Sequence, residues 1–356
     1  VNGWLRPELQ AIEAYALDLS PVPHKLDQNE VPWEVPRPIK LRWMNRMLSE
    51  PWNRYPDFHG ASLCQRLSEF HRWPKEGVLV GNGSNELLQA SLFAVAGGGR
   101  RVLSFAPSFT LYRAMVTIAG GKYEAVGPRR DLRLDFEEFE ERLVSNPPDI
   151  LLINSPNNPT GEAIAVSRLE KWIGGFSGVV LLDQAYVEFS DQDARPLLEK
   201  YPNVLLFRTF SKALGLAGLR LGYLLGAPDL IRELRKVKLP YNLGRAAAIA
   251  GELLLEPEGQ RWVRRVVQVL RGRRSKWAEL LAAAGAEVWP SETNFLLTRW
   301  TPPAFKKVLK HLTLEGVRVR NVSRGNGLTG CLRISIGNQK AFRALNRALQ
   351  QMAEAS

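Results

Sequence analysis

Between residues 78 and 225, short apolar runs alternate with segments of helical period, and that rhythm leaves the chain few folds to adopt. The runs lie at residues 78–80, 101–105, 150–154, 179–183, 204–208 and 221–225, with helical stretches such as 86–96 and 109–119 between most of them. Strands apolar on both faces and joined by helix-length connections imply a mainly parallel sheet with helices on either side. The expected class is α/β. After Pro240 the alternation shortens: helices over 245–255 and 259–284, strands near 287–289 and 295–300, a helix over 303–314, strands over 317–322 and 331–336, and a last helix over 339–352. That texture predicts a smaller α+β domain. Ahead of both, residues 1–40 carry Pro21, Pro23, Pro32, Pro36 and Pro38, which argues against regular helix there. Trp4, Tyr15, Leu26 and Trp33 in the same stretch predict an arm packed on something rather than a free tail. The expected division is an arm over 1–40, a large domain over 41–244 and a small one over 245–356, within reach of a 356-residue chain.

Composition narrows the class of function. No apolar stretch approaches the roughly 20 residues needed to span a bilayer. The opening residues lack a basic segment followed by an apolar one, so no secretory signal is expected. Two cysteines, Cys64 and Cys331, form no disulfide framework and fit a reducing, cytoplasmic setting. His24, His59, His71 and His311 are scattered without metal-ligand spacing, so no metal is expected. A net charge of +12 suits anionic small molecules or nucleic acid. The arginines between 261 and 274 read as one solvated helix face, and no nucleic-acid-binding motif accompanies them. The run from Gly325 to Gly330 has GxGxxG spacing, but both of its flanks read as strands, so it is expected to be a hairpin turn.

Four segments carry chemistry. The first is Arg208-Thr-Phe-Ser-Lys-Ala-Leu-Gly-Leu-Ala-Gly-Leu-Arg220, which puts Lys212 just past an apolar strand. Desolvation disfavours an ammonium there and favours a nucleophilic amine. Thr209, Ser211 and Arg220 add the hydroxyls and the cation that a phosphate would need. The second, Gly81-Asn-Gly-Ser-Asn-Glu86, runs from a strand into a helix, where free backbone amides favour an anion, although Ser84 or Asn85 would equally serve as a helix cap. The third is Asn154-Ser-Pro-Asn-Asn-Pro-Thr-Gly161, an over-specified rigid turn that is expected to aim Asn157 at a ligand oxygen. The fourth places Asp183 at the end of a buried strand with Tyr186 three residues on, and a carboxylate there needs a cationic partner such as a protonated ring nitrogen.

In chain order these segments resemble the fold type I aminotransferases that use pyridoxal 5'-phosphate (PLP), over nearly the whole chain. The resemblance implies that Lys212 condenses with the cofactor aldehyde and that Asp183 pairs with the pyridine nitrogen. It implies that Tyr186 and Asn157 bind the ring oxygen and that Phe109 stacks on the ring. Ser84, Asn85, Thr209, Ser211 and Arg220 would hold the phosphate.

Within that class the chain is similar to the histidinol-phosphate aminotransferase family, through Lys25-Leu-Asp-Gln-Asn-Glu-Val-Pro32, Arg54-Tyr-Pro-Asp57, Gly316-Val-Arg-Val-Arg-Asn321 and Cys331-Leu-Arg-Ile-Ser-Ile-Gly337. This likeness implies a homodimer in which Tyr55 reaches the neighbouring subunit's cofactor phosphate and Tyr15 lies over the substrate. It implies that Arg333 clamps the carboxylate of glutamate or 2-oxoglutarate and that Arg320 takes the phosphate of histidinol phosphate. Asn85 stands where the family commonly has an acidic residue, Phe109 replaces a frequent tyrosine, and Asp27-Gln28 is unusual in the arm. An aromatic amino-acid aminotransferase, a threonine-phosphate type decarboxylase and a non-catalytic PLP or nucleic-acid binder are the competing readings.

Overall fold

The computed structural model describes residues 3–325 and 327–354. Its strands are β1 (His24–Leu26), β2 (Val78–Gly81), β3 (Arg101–Phe105), β4 (Lys122–Val126), β5 (Ile150–Asn154), β6 (Val179–Asp183), β7 (Val204–Thr209), β8 (Gly222–Gly226), β9 (Glu287–Val288), β10 (Phe295–Arg299), β11 (Val317–Asn321) and β12 (Cys331–Ser335). Seven of them form one sheet in the order β2-β8-β7-β6-β5-β3-β4. All its neighbours pair parallel except β8, which runs antiparallel to both β2 and β7. The expected α/β class is what the chain adopts.

Alternate residues of each strand feed two cores, one on either face of the sheet. Ile150 and Leu152 of β5, with Leu205 and Phe207 of β7, pack under Leu87, Leu88 and Leu92 of the helix Ser84–Val95. Leu151, Ile153, Val204 and Leu206 point the other way, toward Leu63, Leu169 and Trp172. Strand β4 escaped the sequence reading because it is an edge strand: Lys122 is exposed and only Val126 is fully buried, so its apolar run is broken.

The second sheet has the order β1-β11-β12-β10-β9. Its first strand comes from the proline-rich arm and pairs parallel with β11, His24 opposite Val317. Contrary to the expectation from the sequence, the prolines do not keep all of that arm out of helix. Pro38 sits in the first turn of the helix Arg37–Ser49, where a missing N–H costs nothing. The turn between β11 and β12 is the glycine-rich run from Gly325 to Gly330, of which Asn326 lies outside the described residues. Its flanks are antiparallel strands, as a hairpin requires.

Gly222 fixes the join between β8 and the start of helix Ser84–Val95. It lies between Gly81 and Thr209 in the ladder, and a Cβ there would overlap the backbone nitrogen of Ser84. Gly222→Ala is expected to destabilise the protein by about 1–3 kcal/mol through overpacking. Chemical denaturation checks this, and an unchanged midpoint would mean that the helix start can shift freely.

Candidate active site

Because β8 is antiparallel to its neighbours, the C-terminal ends of β2, β3, β5, β6 and β7 all emerge along one edge of the large sheet. Ligands in open α/β sheets collect at such an edge. Here the loops after those strands, the arm and β12 enclose a cavity of about 280 Å³. Its lining includes Tyr15, Ser84, Asn85, Phe109, Asp183, Tyr186, Thr209, Ser211, Lys212, Arg220 and Arg333.

Lys212 sits three residues past β7, with Nζ 3.0 Å from the carbonyl oxygen of Gln28 in the arm. Burial lowers its pKa to about 7, and the neighbouring cations Arg333 and Arg220 push the same way against Glu30 and Asp183. An amine with that pKa is substantially unprotonated at neutral pH and can attack a carbonyl.

Asp183 ends β6 and is only 6% exposed. One carboxylate oxygen accepts from the backbone N–H of Ala185 at 3.0 Å, the other from the Tyr112 hydroxyl at 2.7 Å. Burial raises its pKa, opposed by those two donors and by Lys212. Among the described residues it forms no ion pair, so this buried carboxylate has donors but no cation. Tyr112 was missed in the sequence. It lies three residues beyond Phe109 and turns its fully buried ring from the helix Leu111–Ile118 back toward β6.

Beyond Lys212 the walls are polar. The helix Ser84–Val95 starts at Gly83 with no side-chain cap, leaving its first amides open. Arg220, in left-handed backbone (φ 53°), brings Nη1 to 3.2 Å from Ser211 Oγ. A Cβ on Gly83 would come within 2.7 Å of the Arg220 guanidinium, so glycine is what lets that cation approach. Thr209 Oγ1 accepts from the Ser211 N–H at 3.1 Å. Amides, hydroxyls and a guanidinium around one space make an anion cradle.

The structure corrects one assignment. Asn157 does not reach the cavity: its side-chain amide donates to the Pro107 carbonyl and to Thr160 Oγ1, and its Oδ1 accepts from Ser108. It holds the turn together, which uses up its polar atoms. Asn158 faces the cavity instead, donating to Tyr186 Oη at 3.3 Å and accepting from Arg333 Nη1 at 2.6 Å. Tyr186 also accepts from Asn29 Nδ2 at 3.0 Å. Asn29 in turn binds Ser335 of β12, so the arm, the small sheet and the loop after β6 meet at one residue. The arm motif contained that residue, although nothing in the sequence singled it out.

Arg333 is pinned by Asn158 and the Asp27 carbonyl, yet its Nε has no partner. Arg320 lies directly opposite it in the β11–β12 pairing and stacks 5.3 Å from the Tyr15 ring centre. Arg320 does not itself line the cavity as drawn by this single chain; Tyr15 lies between. Tyr55 is far from it, 76% exposed and stacked on Tyr241. Trp33 and Trp43 line a separate apolar groove, and Trp52 is exposed.

An aldehyde-bearing, phosphorylated pyridine fits this donor set: amine, uncompensated carboxylate, anion cradle and the Phe109 ring each find a counterpart on PLP. Fold and site together define a fold type I, PLP-dependent enzyme. The sequence pattern of the family "Aminotransferase class I and II" matches residues 24–349. Histidinol-phosphate aminotransferase 2 of Nitrosococcus oceani is 36% identical over 98% of this chain and 97% of its own. The histidinol-phosphate aminotransferase of Chlorobium phaeovibrioides is 37% identical over 95% and 93%. In fold the chain is like the histidinol-phosphate aminotransferase of Sinorhizobium meliloti solved with pyridoxal-5'-phosphate, with TM-score 0.87, 23% identity and coverage of 99% and 98%. The chain belongs to the class I and II aminotransferase family.

Two outcomes follow from the charges. Tyr112→Phe removes a donor to a buried carboxylate, a hydrogen bond of about 1.5–3 kcal/mol. PLP affinity of the variant, measured by titration, is expected to fall about tenfold or more; unchanged affinity would detach Tyr112 from the site. In the apo-protein, Lys212 binds its proton less readily when folded (about 7) than when unfolded (10.5). Its penalty is therefore complete below pH 7 and vanishes as pH rises from 7 through 10.5. Lys212→Met is expected to stabilise the apo-protein at pH 7 by on the order of a few kcal/mol, a gain that shrinks toward pH 10. A pH-independent difference in denaturation midpoint would contradict the lowered pKa.

Proposed function

We propose that the protein transfers the amino group of L-histidinol phosphate to 2-oxoglutarate, a step of histidine biosynthesis, as a cytoplasmic homodimer. What carries the reading is one juxtaposition: the deprotonatable amine of Lys212 and the buried carboxylate of Asp183 stand opposite a sheet face bearing Arg320 and Arg333. Both substrates are anions that also carry the carbon to be aminated or deaminated, so they need that arrangement.

When bound, PLP supplies an electron sink for the substrate's Cα. Asp183 would keep the ring nitrogen protonated through its free lone pairs. Tyr186 and Asn158 would hold the ring oxygen, and Phe109 would cover the ring. Lys212 Nζ would take up the Cα proton and hand it back, acting in turn as base and acid. A pKa near 7 suits both roles at neutral pH. Arg333, with its spare Nε–H, grips the substrate carboxylate, and Arg320 takes the phosphate when Tyr15 yields it. Directly opposed like charges across two strands repel, so an anion between them relieves strain as well as binding.

The dimer reading rests on an apolar face. A groove of about 630 Å³ lined by Val31, Trp33, Ile39, Trp43 and Leu219 opens beside exposed Leu41, Met44, Leu48, Trp52 and Tyr55. On this reading Tyr55 completes the partner's phosphate site rather than its own. The two free, buried cysteines are in keeping with a cytoplasmic setting. The division into an arm over 1–40 and domains over 41–244 and 245–356 accounts for the two sheets, with β1 lending the arm to the smaller. Tyr15, Leu17, Phe109 and Leu111 would also accommodate an aromatic side chain, which keeps an aromatic amino-acid aminotransferase as the second reading.

Single half-reactions, followed by the bound cofactor's visible absorbance, are expected to run fastest with histidinol phosphate among histidinol phosphate, phenylalanine and threonine phosphate. A wide preference for phenylalanine would replace the first reading with the second. Arg320→Ala is expected to lower kcat/KM for histidinol phosphate at least tenfold more than for glutamate; equal losses would remove its phosphate role.

A further inference from the structure

The face of β11 that carries Arg320 also carries Arg318, two residues earlier and one step further from the cavity. The two arginines are not equivalent. Among the described residues Arg320 makes one long hydrogen bond, 3.4 Å to the Ala16 carbonyl, besides its stacking on Tyr15. Arg318 is fully engaged: Nη1 donates to the Asp18 carbonyl at 3.0 Å, and Nη2 to the Ser20 carbonyl and, at 2.8 Å, to Ser20 Oγ. The Asp18 carboxylate stands 3.4 Å from Nη2 and is itself held by the N–H and hydroxyl of Ser20. Its side chain is only 12% exposed although everything it grips is at the surface.

Those grips matter because the segment has little else. Residues 12–19 form no helix or strand, and Tyr15, Ala16, Asp18, Leu19 and Ser20 are exposed. The chain becomes regular only at β1, which runs beside β11 from His24. Yet Tyr15 and Leu17, inside the loose stretch, form part of the cavity wall. A segment with few buried contacts opens at low cost unless something ties it. A planar guanidinium that binds the carbonyls of residues 18 and 20 and the Asp18 carboxylate is the strongest tie on this segment among the described residues.

We propose that Arg318 is a positioning residue that straps residues 15–20 across the mouth of the cavity, leaving Arg320 free to trade its contacts with the arm for the substrate's anion. Arg318 does not touch substrate. It fixes the place of Tyr15 and Leu17, so that Arg320 is released without the arm being released. The effect on catalysis rests on the reading of Tyr15 as lying over the substrate, whereas the strap itself does not.

The test uses the PLP-loaded enzyme and two variants, Arg318→Ala and Arg318→Lys, the second keeping the charge without the fork. Chymotryptic cleavage after Tyr15, Leu17 and Leu19 is expected to speed up at least tenfold in Arg318→Ala and less in Arg318→Lys, with the thermal midpoint and PLP affinity unchanged. KM for histidinol phosphate is expected to rise about tenfold with kcat within twofold. Combining Arg318→Ala with Tyr15→Ala is expected to raise KM no further than Tyr15→Ala alone, since both act through one ring. Unaltered cleavage within residues 15–20 in Arg318→Ala would overturn the strap. Faster cleavage with an unchanged KM in both Arg318→Ala and Tyr15→Ala would leave the strap standing and overturn the substrate role of Tyr15. Additive KM effects would overturn the route through Tyr15.

Discussion

The site depends on two charges kept out of water at the ends of adjacent strands. Asp183 closes β6, Lys212 follows β7, and burial works against the ionised form of each. Left to themselves such groups neutralise. The protein instead gives Asp183 two donors and gives Lys212 a carbonyl acceptor, and among the described residues neither group forms an ion pair; each feels the other's charge only at longer range. Both groups are therefore complete only when a ligand brings a protonated ring nitrogen to one and an aldehyde to the other. Only a sheet buried on both faces can hold that spacing, and β5, β7 and β8 are buried at every position.

The second sheet adds two cations to the site. Arg320 and Arg333 are paired across β11 and β12, and burial, with the like charge of Arg320, draws the Arg333 guanidinium below its usual pKa. Two guanidiniums side by side, one with an unused Nε–H, define a place for anions. The large sheet positions the chemistry and the small one the substrate. The arm belongs to both: β1 extends the small sheet, Gln28 reaches Lys212, and Asn29 reaches Tyr186 and Ser335.

Much of this was legible in the sequence because the site is built at strand ends. A buried parallel strand is an unbroken apolar run, and the residue where the run stops is a residue at the sheet edge; Asn154, Asp183 and Thr209 could be read that way. What escaped was set by side-chain direction rather than position. In Asn157-Asn158, one amide closes the turn and the other faces the cavity, and composition cannot tell which. Tyr112 read as one more apolar residue of a helix, since the value of its hydroxyl depends on β6 lying beneath it. Asn29 and Gln28 act from the arm, which lacks the periodicity that reveals direction. Arg318 and Arg320 share a motif and a strand face, and only their contacts separate a strap from an anion site.

Behind the cavity the same two strand ends are tied a second time. The Arg208 side chain, one residue before Thr209, donates to Gln184 Oε1 at 3.1 Å and pairs with Asp193. Gln184 follows Asp183, and its own amide reaches the Gln192 carbonyl. Glu188 lies beside this cluster, its carboxyl pushed up to about 7 by burial, with Arg208 opposing the rise. Arg208 is buried while Asp193 is half-exposed, so the pair recovers only part of the guanidinium's desolvation and its value here is geometric. It clamps the loop after β6 to β7 on the face away from the ligand, where no substrate competes for the contacts. With that clamp on the neighbouring residue, and Tyr112 and the Ala185 N–H on its own oxygens, the Asp183 carboxylate is held in the cavity wall.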